Sequence, residues 1–338
     1  MGRDTGGMTS AETYVETVDR PVRISSPDKV MFPEQGWTKL DLAQHYVQCG
    51  VGALRGVYNR PTMLKRWNRG VGDKPLFVKR PKGARTLVDV DFPSSSPGKM
   101  FVPLDTADVV WMAQQNCVDL NPWATRADDL LHADELRLDL DPTKGFTFAH
   151  VKDIAIETKA LLDELGLVSW PKTSGNRGIH VYVRLAPLWD PYQVRRAALA
   201  IGRELERRTA LATTAWWKEE RSGVFIDYNQ NAWGKTVASA YSVRQTGWVS
   251  TPFMWEEVAA IEPAEFPMDT FAERWTAVGD LTDGIDEAAG DLSRALTMVE
   301  ADEARGIGDA PWPPHYPKMP GEPPRVAPSK RRDENWTQ

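Results

Sequence analysis

Apolar and polar positions alternate one by one through residues 134–142, where Leu136, Leu138 and Leu140 fall between Arg137, Asp139 and Asp141. That period of two predicts a strand over 135–140 with one buried face. It also points Asp139 and Asp141 to the same side, about 7 Å apart. Pro142 cannot donate to a ladder and ends it. A helical period appears in 38–50, where Leu40, Leu42, Ala43, Tyr46 and Val47 share a face behind Thr38 as N-cap. The same reading predicts short strands at 62–66, 76–80 and 87–92, a buried helix from Thr106 to Cys117, and a turn at Asn121-Pro122. Beyond the acidic strand it gives a helix over 147–165 stopped by Gly166, strands at 168–172 and 179–184, and a helix over 191–209. A strand at 223–228 delivers Asp227 into an Asn-rich turn, strand-like pieces follow at 236–244, and acidic amphipathic helices fill 253–304. Strands and helices mix without regular alternation, so the fold class is α+β or mixed α/β.

Residues 1–20 lack periodicity and are expected to be disordered. Residues 21–305 form the folded domain, and 306–338 read as a Pro-rich tail with a basic cluster at 329–332, extended or disordered. With 338 residues, 41% of them hydrophobic, the chain can bury a large core, as one domain or two intimate lobes. No apolar run of eighteen residues occurs and the start has no signal-like segment, so no membrane association is expected. Cys49 and Cys117 are too few for a disulfide framework, and the five histidines include no zinc-type pair. A cytoplasmic, nucleoid-associated protein is expected.

The net charge of −6 hides a segregation. Residues 65–85 carry eight bases (Lys65, Arg66, Arg69, Lys74, Lys79, Arg80, Lys82, Arg85) against Asp73, whereas 256–304 carry fourteen acids against Arg274 and Arg294. Phosphate binding follows the local field, since the Debye length is about 8 Å at physiological salt. A basic face and an acidic back are therefore compatible with a nucleic-acid partner, and equally with two solvated surfaces.

Alone, Asp139 and Asp141 would suit a solvated strand edge. Asp227, a third carboxylate at a strand end, changes that, because such a trio can hold two hard divalent ions, Mg²⁺ or Mn²⁺, about 3.5–4 Å apart for in-line phosphoryl displacement. Between the acids lies WPKTSGNRGIHVYV (170–183). Gly175 and Gly178 permit a tight turn whose N–H groups can surround phosphate, and Ser174, Asn176, Arg177 and His180 add donors. A plain polar hairpin is the alternative. Walker A, kinase and KxDG nucleophile motifs are absent, which leaves direct nucleotidyl transfer without a covalent intermediate.

ELRLDLDP, KTSGNRGIH and VFIDYNQN, in that order, resemble the three motifs of the archaeo-eukaryotic primase superfamily. More closely, the chain is similar to the polymerase domain of bacterial ligase D and its stand-alone mycobacterial primase-polymerase relatives, over about residues 20–300. SPDKVMFPEQGWTKLDLAQHY, WMAQQNCVDLNPWATRADDL and KTVASAYSVRQTGWVSTPFMWEEV share the likeness. The resemblance implies a primase-type catalytic sheet related to RNA-recognition modules, with a second N-terminal α/β subdomain packed against it. It implies gap or end filling in DNA repair with NTPs or dNTPs.

By the same resemblance Asp139, Asp141 and Asp227 hold the metals; Lys65, Ser174, Arg177, His180, Lys235 and Arg244 face the triphosphate; Lys29 and Lys39 grip a downstream 5′-phosphate; and Phe77 stacks on the template. Three departures stand out: Leu76 beside Phe77 where two aromatics are common, Asn121 where a histidine precedes Pro-Trp, and Asn176-Arg177 where Gly-Lys is usual. The sequence leaves no room for a ligase domain, so gapped or broken duplex DNA, a separate DNA ligase and a Ku-type end binder are the expected partners. A non-catalytic DNA-end adaptor, a two-metal nuclease and a de novo primase are the rival readings.

Overall fold

The computed structural model describes residues 12–313 except 80, 93 and 94, together with residues 316 and 318. The predicted acidic strand is its axis, longer than the alternation suggested: it runs 14 residues, Asp129–Pro142. Ile179–Trp189 pairs antiparallel on one side of it and Val224–Asp227 on the other. Trp170–Thr173 lies outside the first neighbour, Ala212–Thr213 runs parallel outside the second, and Thr125–Arg126 pairs with the strand's beginning. Leu136, Leu138 and Leu140 join Val181, Val183 and Ile226 on an apolar face with no solvent exposure.

Two 18-residue helices cover that face. Phe148–Leu165 starts at a Thr147 capping box and stops at Gly166, whose φ of 77° is the left-handed conformation that glycine adopts without penalty. Pro191–Arg208 starts with Asp190 accepting from Gln193 N–H at 2.8 Å, and its Val194, Ala197, Ala198, Ile201 and Leu205 keep the helical period on the buried side.

A second antiparallel sheet, ordered Leu76–Val78, Thr62–Arg66, Ser95–Phe101, Leu87–Phe92, forms the N-terminal half. Helices Lys39–Gln48, Gly50–Val57 and Thr106–Gln114 accompany it. Thr38 caps the first of these as expected, exchanging hydrogen bonds with Asp41. The mixed α/β class holds, with several predicted elements corrected. Asn121-Pro122 is not a turn but a short strand against Thr62–Arg66. Residues 236–244 form no continuous strand: Ser239 N–H bonds to Leu120 O, and the pairing is limited to a short antiparallel run in which Val243 bridges Val249 and Tyr241 N–H bonds to Ser250 O. The acidic stretch breaks into 3₁₀ turns and two α-helices, Phe271–Val278 and Ser293–Ala304. No helix among the described residues is long and apolar enough to cross a membrane.

Both ends are better ordered than composition suggests. Glu12–Val15 pairs with Val22–Ser25, and Arg20 bonds Asp108 at 2.6 Å, so disorder over 1–20 is wrong for 12–20; residues 1–11 lie outside the described ones. Residues 308–313 have no regular structure, yet Trp312 is only 1% exposed. Arg80 and the basic cluster at 329–332 also lie outside the described residues.

The face opposite the leucines is the larger surprise, since Glu135, Arg137 and Asp139 on it are all buried. The N-terminal half covers it with polar atoms: Arg137 donates to Pro122 O at 3.1 Å and Trp123 O at 2.8 Å, and Arg60 pairs with Asp134 at 2.6 Å. Glu135 binds Arg137 at 2.6 Å and Arg184 at 2.9 Å. Burial pushes the Glu135 carboxyl up, but Arg137, Arg60 and Arg184 outweigh it and hold the group below its ordinary pKa. Glu135→Ala leaves the buried Arg137 without its carboxylate partner and takes one of the carboxylates from Arg60 and Arg184. A loss of about 3–5 kcal/mol is expected in urea denaturation at pH 7; a loss below about 1 kcal/mol would contradict this role.

Candidate active site

Strand register gathers the chemistry into one row. Lys172 is the cross-strand partner of His180, His180 of Asp139, and Asp139 of Asp227. Directly opposed residues share a sheet face, so four side chains more than 50 residues apart at the extremes stand side by side on four strands. Asp141 follows two residues on and is exposed at the sheet's end.

Lys172 is 3% exposed and was not anticipated. Its ammonium donates to Ala238 O at 2.8 Å and to Ser250 Oγ at 2.7 Å, the latter occupied in turn as a donor to Thr173 O. Its third N–H is left for His180 Nδ1, 2.7 Å away. Burial, and then the Arg244 charge, push the Lys172 pKa well down; with Lys172 as the donor, Nδ1 accepts and the ring proton lies on Nε2, which stands 3.2 Å from Asp139 Oδ1. Burial, and then the Lys172 charge, push the His180 pKa well down, so the ring is neutral.

The three carboxylates are held against their own charge. Burial pushes Asp139 up; the Asp139 charge, and then burial, push Asp141 up; and burial with repulsion from Asp139 lifts Asp227 to about 6. Asp141 reaches solvent, so its rise owes more to its neighbour than to dehydration. Asp139 Oδ1 is buried without a properly oriented hydrogen bond. As the side chains stand, no three His, Cys, Asp or Glu groups among the described residues close into a metal-enclosing cluster. Asp227 is turned onto its own 3₁₀ turn, accepting from Asn229 N–H at 3.0 Å and Gln230 Nε2 at 2.8 Å. The donor set itself, three crowded oxygen ligands with no lysine or arginine among the described residues in direct ion-pair contact, fits hard divalent cations.

The glycine turn is built differently from a simple phosphate cradle. Ser174 Oγ accepts from Asn176 N–H and Gly178 N–H, so two of the backbone donors assigned to phosphate are already used inside the turn. Gly178 is required for another reason, because a Cβ there would lie 2.5 Å from Leu140 O and 2.9 Å from Asp141 Oδ1. Gly175 has a φ of 67° and lets the Arg244 stem pass, since a Cβ would meet Arg244 Cγ at 2.4 Å.

Cations ring the carboxylates. Arg244 donates to Ser174 O at 2.7 Å and its Nε lies 3.8 Å from Asp119 Oδ2, the same oxygen that holds Lys65 Nζ at 3.1 Å. Arg177 is exposed and lowers the pKa of Asp141 by its charge; Lys235 does the same for Asp227. Arg221 adds its charge at Asp141 while its guanidinium packs 3.4 Å from the Phe225 ring centroid. Lys172, Asp119 and Arg221 were missed. Lys172 lies inside the turn motif, but only the hairpin register shows it opposite His180, and Asp119 is a lone acid in an apolar run.

A separate group contains Lys29 and Lys39. Lys39 Nζ donates to Ser25 O at 2.6 Å, and burial, then Lys29 and Arg66, press its pKa down to about 8. Arg66 is the unanticipated third member, tethered through Nε to Gln115 O at 2.8 Å. Phe77 is the cross-strand partner of Lys65 and is 62% exposed, with Leu76 beside it 54% exposed. Asn121 bonds to Asp119 O at 3.3 Å.

Comparison with known proteins identifies the family. The family described as LigD, primase-polymerase domain, matches residues 38–282, more than half of the chain. A multifunctional non-homologous end joining protein LigD of Mycolicibacterium smegmatis is 30% identical over 309 residues, covering 88% of this chain and 40% of that protein. A bifunctional LigD of Bacillus subtilis is 29% identical over 276 residues, covering 78% and 44%. The chain thus spans less than half the length of these relatives. Among solved structures, the polymerase domain of Mycobacterium tuberculosis ligase D in complex with DNA superposes with a TM-score of 0.73 at 27% identity, over 80% of this chain and 99% of that one. On these likenesses in sequence and fold, the chain belongs to the LigD primase-polymerase domain family, whose members are nucleotidyltransferases of DNA repair.

Proposed function

We propose that this protein is a template-directed nucleotidyltransferase that adds NTPs or dNTPs to a primer 3′-hydroxyl at short gaps or ends of broken DNA. The observation that carries the reading is the row Lys172–His180–Asp139–Asp227, ringed by Arg177, Arg221, Lys235 and Arg244, with Lys65 joined to Arg244 through Asp119. Three carboxylates suit metal-assisted displacement at phosphorus, and the surrounding cations suit the extended charge of a triphosphate. A nuclease needs the first feature and has little use for so many cations.

Mn²⁺ or Mg²⁺ bound at Asp139, Asp141 and Asp227 would supply the positive charge that activates the 3′-hydroxyl and stabilises the departing pyrophosphate. The chain's own groups do the rest. His180, fixed by Lys172 as the Nε2–H tautomer, donates toward phosphate oxygen. Ser174 keeps its hydroxyl proton for the same task while its lone pairs tie the turn. Arg244 and Lys65 are held in place by Asp119, and Arg177 and Lys235 complete the triphosphate contacts. Phe77 stacks on a template base, which is worth about 1–3 kcal/mol. Lys29 and Lys39, with Arg66, grip a downstream 5′-phosphate; three crowded cations with depressed lysine basicity gain most from an anion. That the relatives are named non-homologous end joining proteins supports this pathway for the work, with a DNA ligase and a Ku-type end binder as the proposed partners.

In primer extension on a gapped duplex, Asp139→Ala is expected to lower nucleotide addition by at least about 100-fold while duplex binding persists. Retained extension would remove Asp139 from the chemistry. Lys29→Ala is expected to reduce activity on gaps bearing a 5′-phosphate and to spare those without one; equal losses would refute the phosphate site.

The carboxylate pKa values set a stability test. A folded-state value raised from 3.8 to about 6, as at Asp227, stabilises the fold below pH 4 and loses that contribution as pH rises toward 6. Metal-free protein should therefore lose thermal stability across this window, and Mn²⁺ should raise the melting temperature more at pH 8 than at pH 5. Asp139→Asn removes one repelling charge and should raise the metal-free melting temperature at pH 8 by on the order of 2–4 °C. An Asn variant melting below the native protein at pH 8 would contradict the repulsion.

A further inference from the structure

The segment 308–312 lies outside the family-matched residues 38–282, and its composition suggests a tail. Its contacts say otherwise. Trp312 is buried with its ring centroid 3.8 Å from the Arg195 guanidinium and 5.1 Å from the Tyr192 ring. Trp312 Nε1 donates to Asp309 Oδ2 at 2.9 Å, and Asp309 Oδ1 accepts from Arg195 Nη1 at 2.8 Å. Arg195 Nη2 donates to Ala310 O at 2.9 Å and Pro311 O at 3.1 Å.

Arg195 has no exposed surface and carries this grip to the carboxylates. Its Nε donates to Asn229 Oδ1 at 2.7 Å, its guanidinium lies 5.0 Å from the Tyr228 ring, and Asn229 Nδ2 reaches Pro311 O at 3.4 Å. Asn229 N–H in turn holds Asp227 Oδ1. The turn Tyr228–Asn231 that aims the third carboxylate is therefore clamped between helix Pro191–Arg208 and the C-terminal segment. A guanidinium in a dry site needs both its planar fork satisfied and a counter-charge. Without the segment, Arg195 loses Asp309 and two carbonyl acceptors, and the cost of leaving it buried forces it and Asn229 to rearrange.

We infer that residues 308–312 are a positioning strap for the active site, fixing through Arg195 and Asn229 the turn that carries Asp227, and with it the place from which the Asp227 carboxylate can swing to a metal ion. This rests on the metal reading of the three aspartates. It makes Trp312, Asp309 and Arg195 positioning residues for the reaction, although none of them touches substrate.

The test is Mn²⁺ binding to the full chain without nucleotide, followed by electron paramagnetic resonance, with folding checked by circular dichroism. Trp312→Ala and, as the milder variant, Asp309→Asn are expected to weaken Mn²⁺ binding on the order of 10–100-fold, the usual effect of losing a group that orients a metal ligand. Trp312→Phe, which keeps a ring on Arg195, should recover part of the loss. Val299→Ala thins the packing of helix Ser293–Ala304 on the same side and serves as the stability control. It should lower the melting temperature without changing Mn²⁺ affinity. In primer extension the strap variants should regain rate at saturating Mn²⁺. Native-like Mn²⁺ affinity in a folded strap variant, or an equal loss in Val299→Ala, would overturn the strap alone. A native protein that binds no Mn²⁺, or binds it equally after Asp227→Asn, would overturn the metal reading and the strap with it.

Discussion

Repulsion among three carboxylates that strand pairing does not allow to separate is the constraint around which the rest of this molecule is arranged. Asp139 and Asp227 face each other on adjacent strands, and Asp141 shares their side two residues on. Register fixes this spacing, because moving any one acid away would slip a strand and turn its buried leucines or valines to the wrong face. Unable to part, the acids rise in pKa and wait for a counter-charge.

The surroundings supply that charge only from a distance. Arg244 and Lys65 are restrained by Asp119, Lys172 is turned toward His180, and Arg177, Arg221 and Lys235 stand around the rim. None of these cations collapses into a close ion pair with Asp139, Asp141 or Asp227 in the described structure, as the proposed binding of hard cations by the carboxylates and of phosphate by the basic groups requires. Deeper in the sheet the opposite solution applies: Glu135 and Asp134 are fully paired with Arg60, Arg137 and Arg184. One strand thus carries a satisfied, structural set of charges at its middle and an unsatisfied set at its end.

Much of this was legible in the sequence where local rules act. Alternation placed Asp139 and Asp141 on one side, Thr38 and Gly166 marked helix ends, and the strand-then-turn pattern picked out Asp227. The long-range parts were not legible. Nothing local shows that Asp227 faces Asp139, 88 residues earlier. A charged strand face reads as solvated, so Glu135 and Arg137 passed for surface until Pro122, Trp123 and Arg60 were found over them. Proline content hid the docked segment, where one residue, Trp312, carried the only sign of burial. The glycine turn was read for its N–H groups, while its actual internal acceptor is the Ser174 hydroxyl.

The most direct measurement is anomalous diffraction from crystals of the protein grown with Mn²⁺ and a non-hydrolysable nucleoside triphosphate. The account predicts manganese peaks bounded by oxygens of Asp139, Asp141 and Asp227, with the triphosphate running toward His180 and Arg244. Manganese elsewhere on the surface, or a triphosphate bound away from the row with the three carboxylates unoccupied, would contradict it.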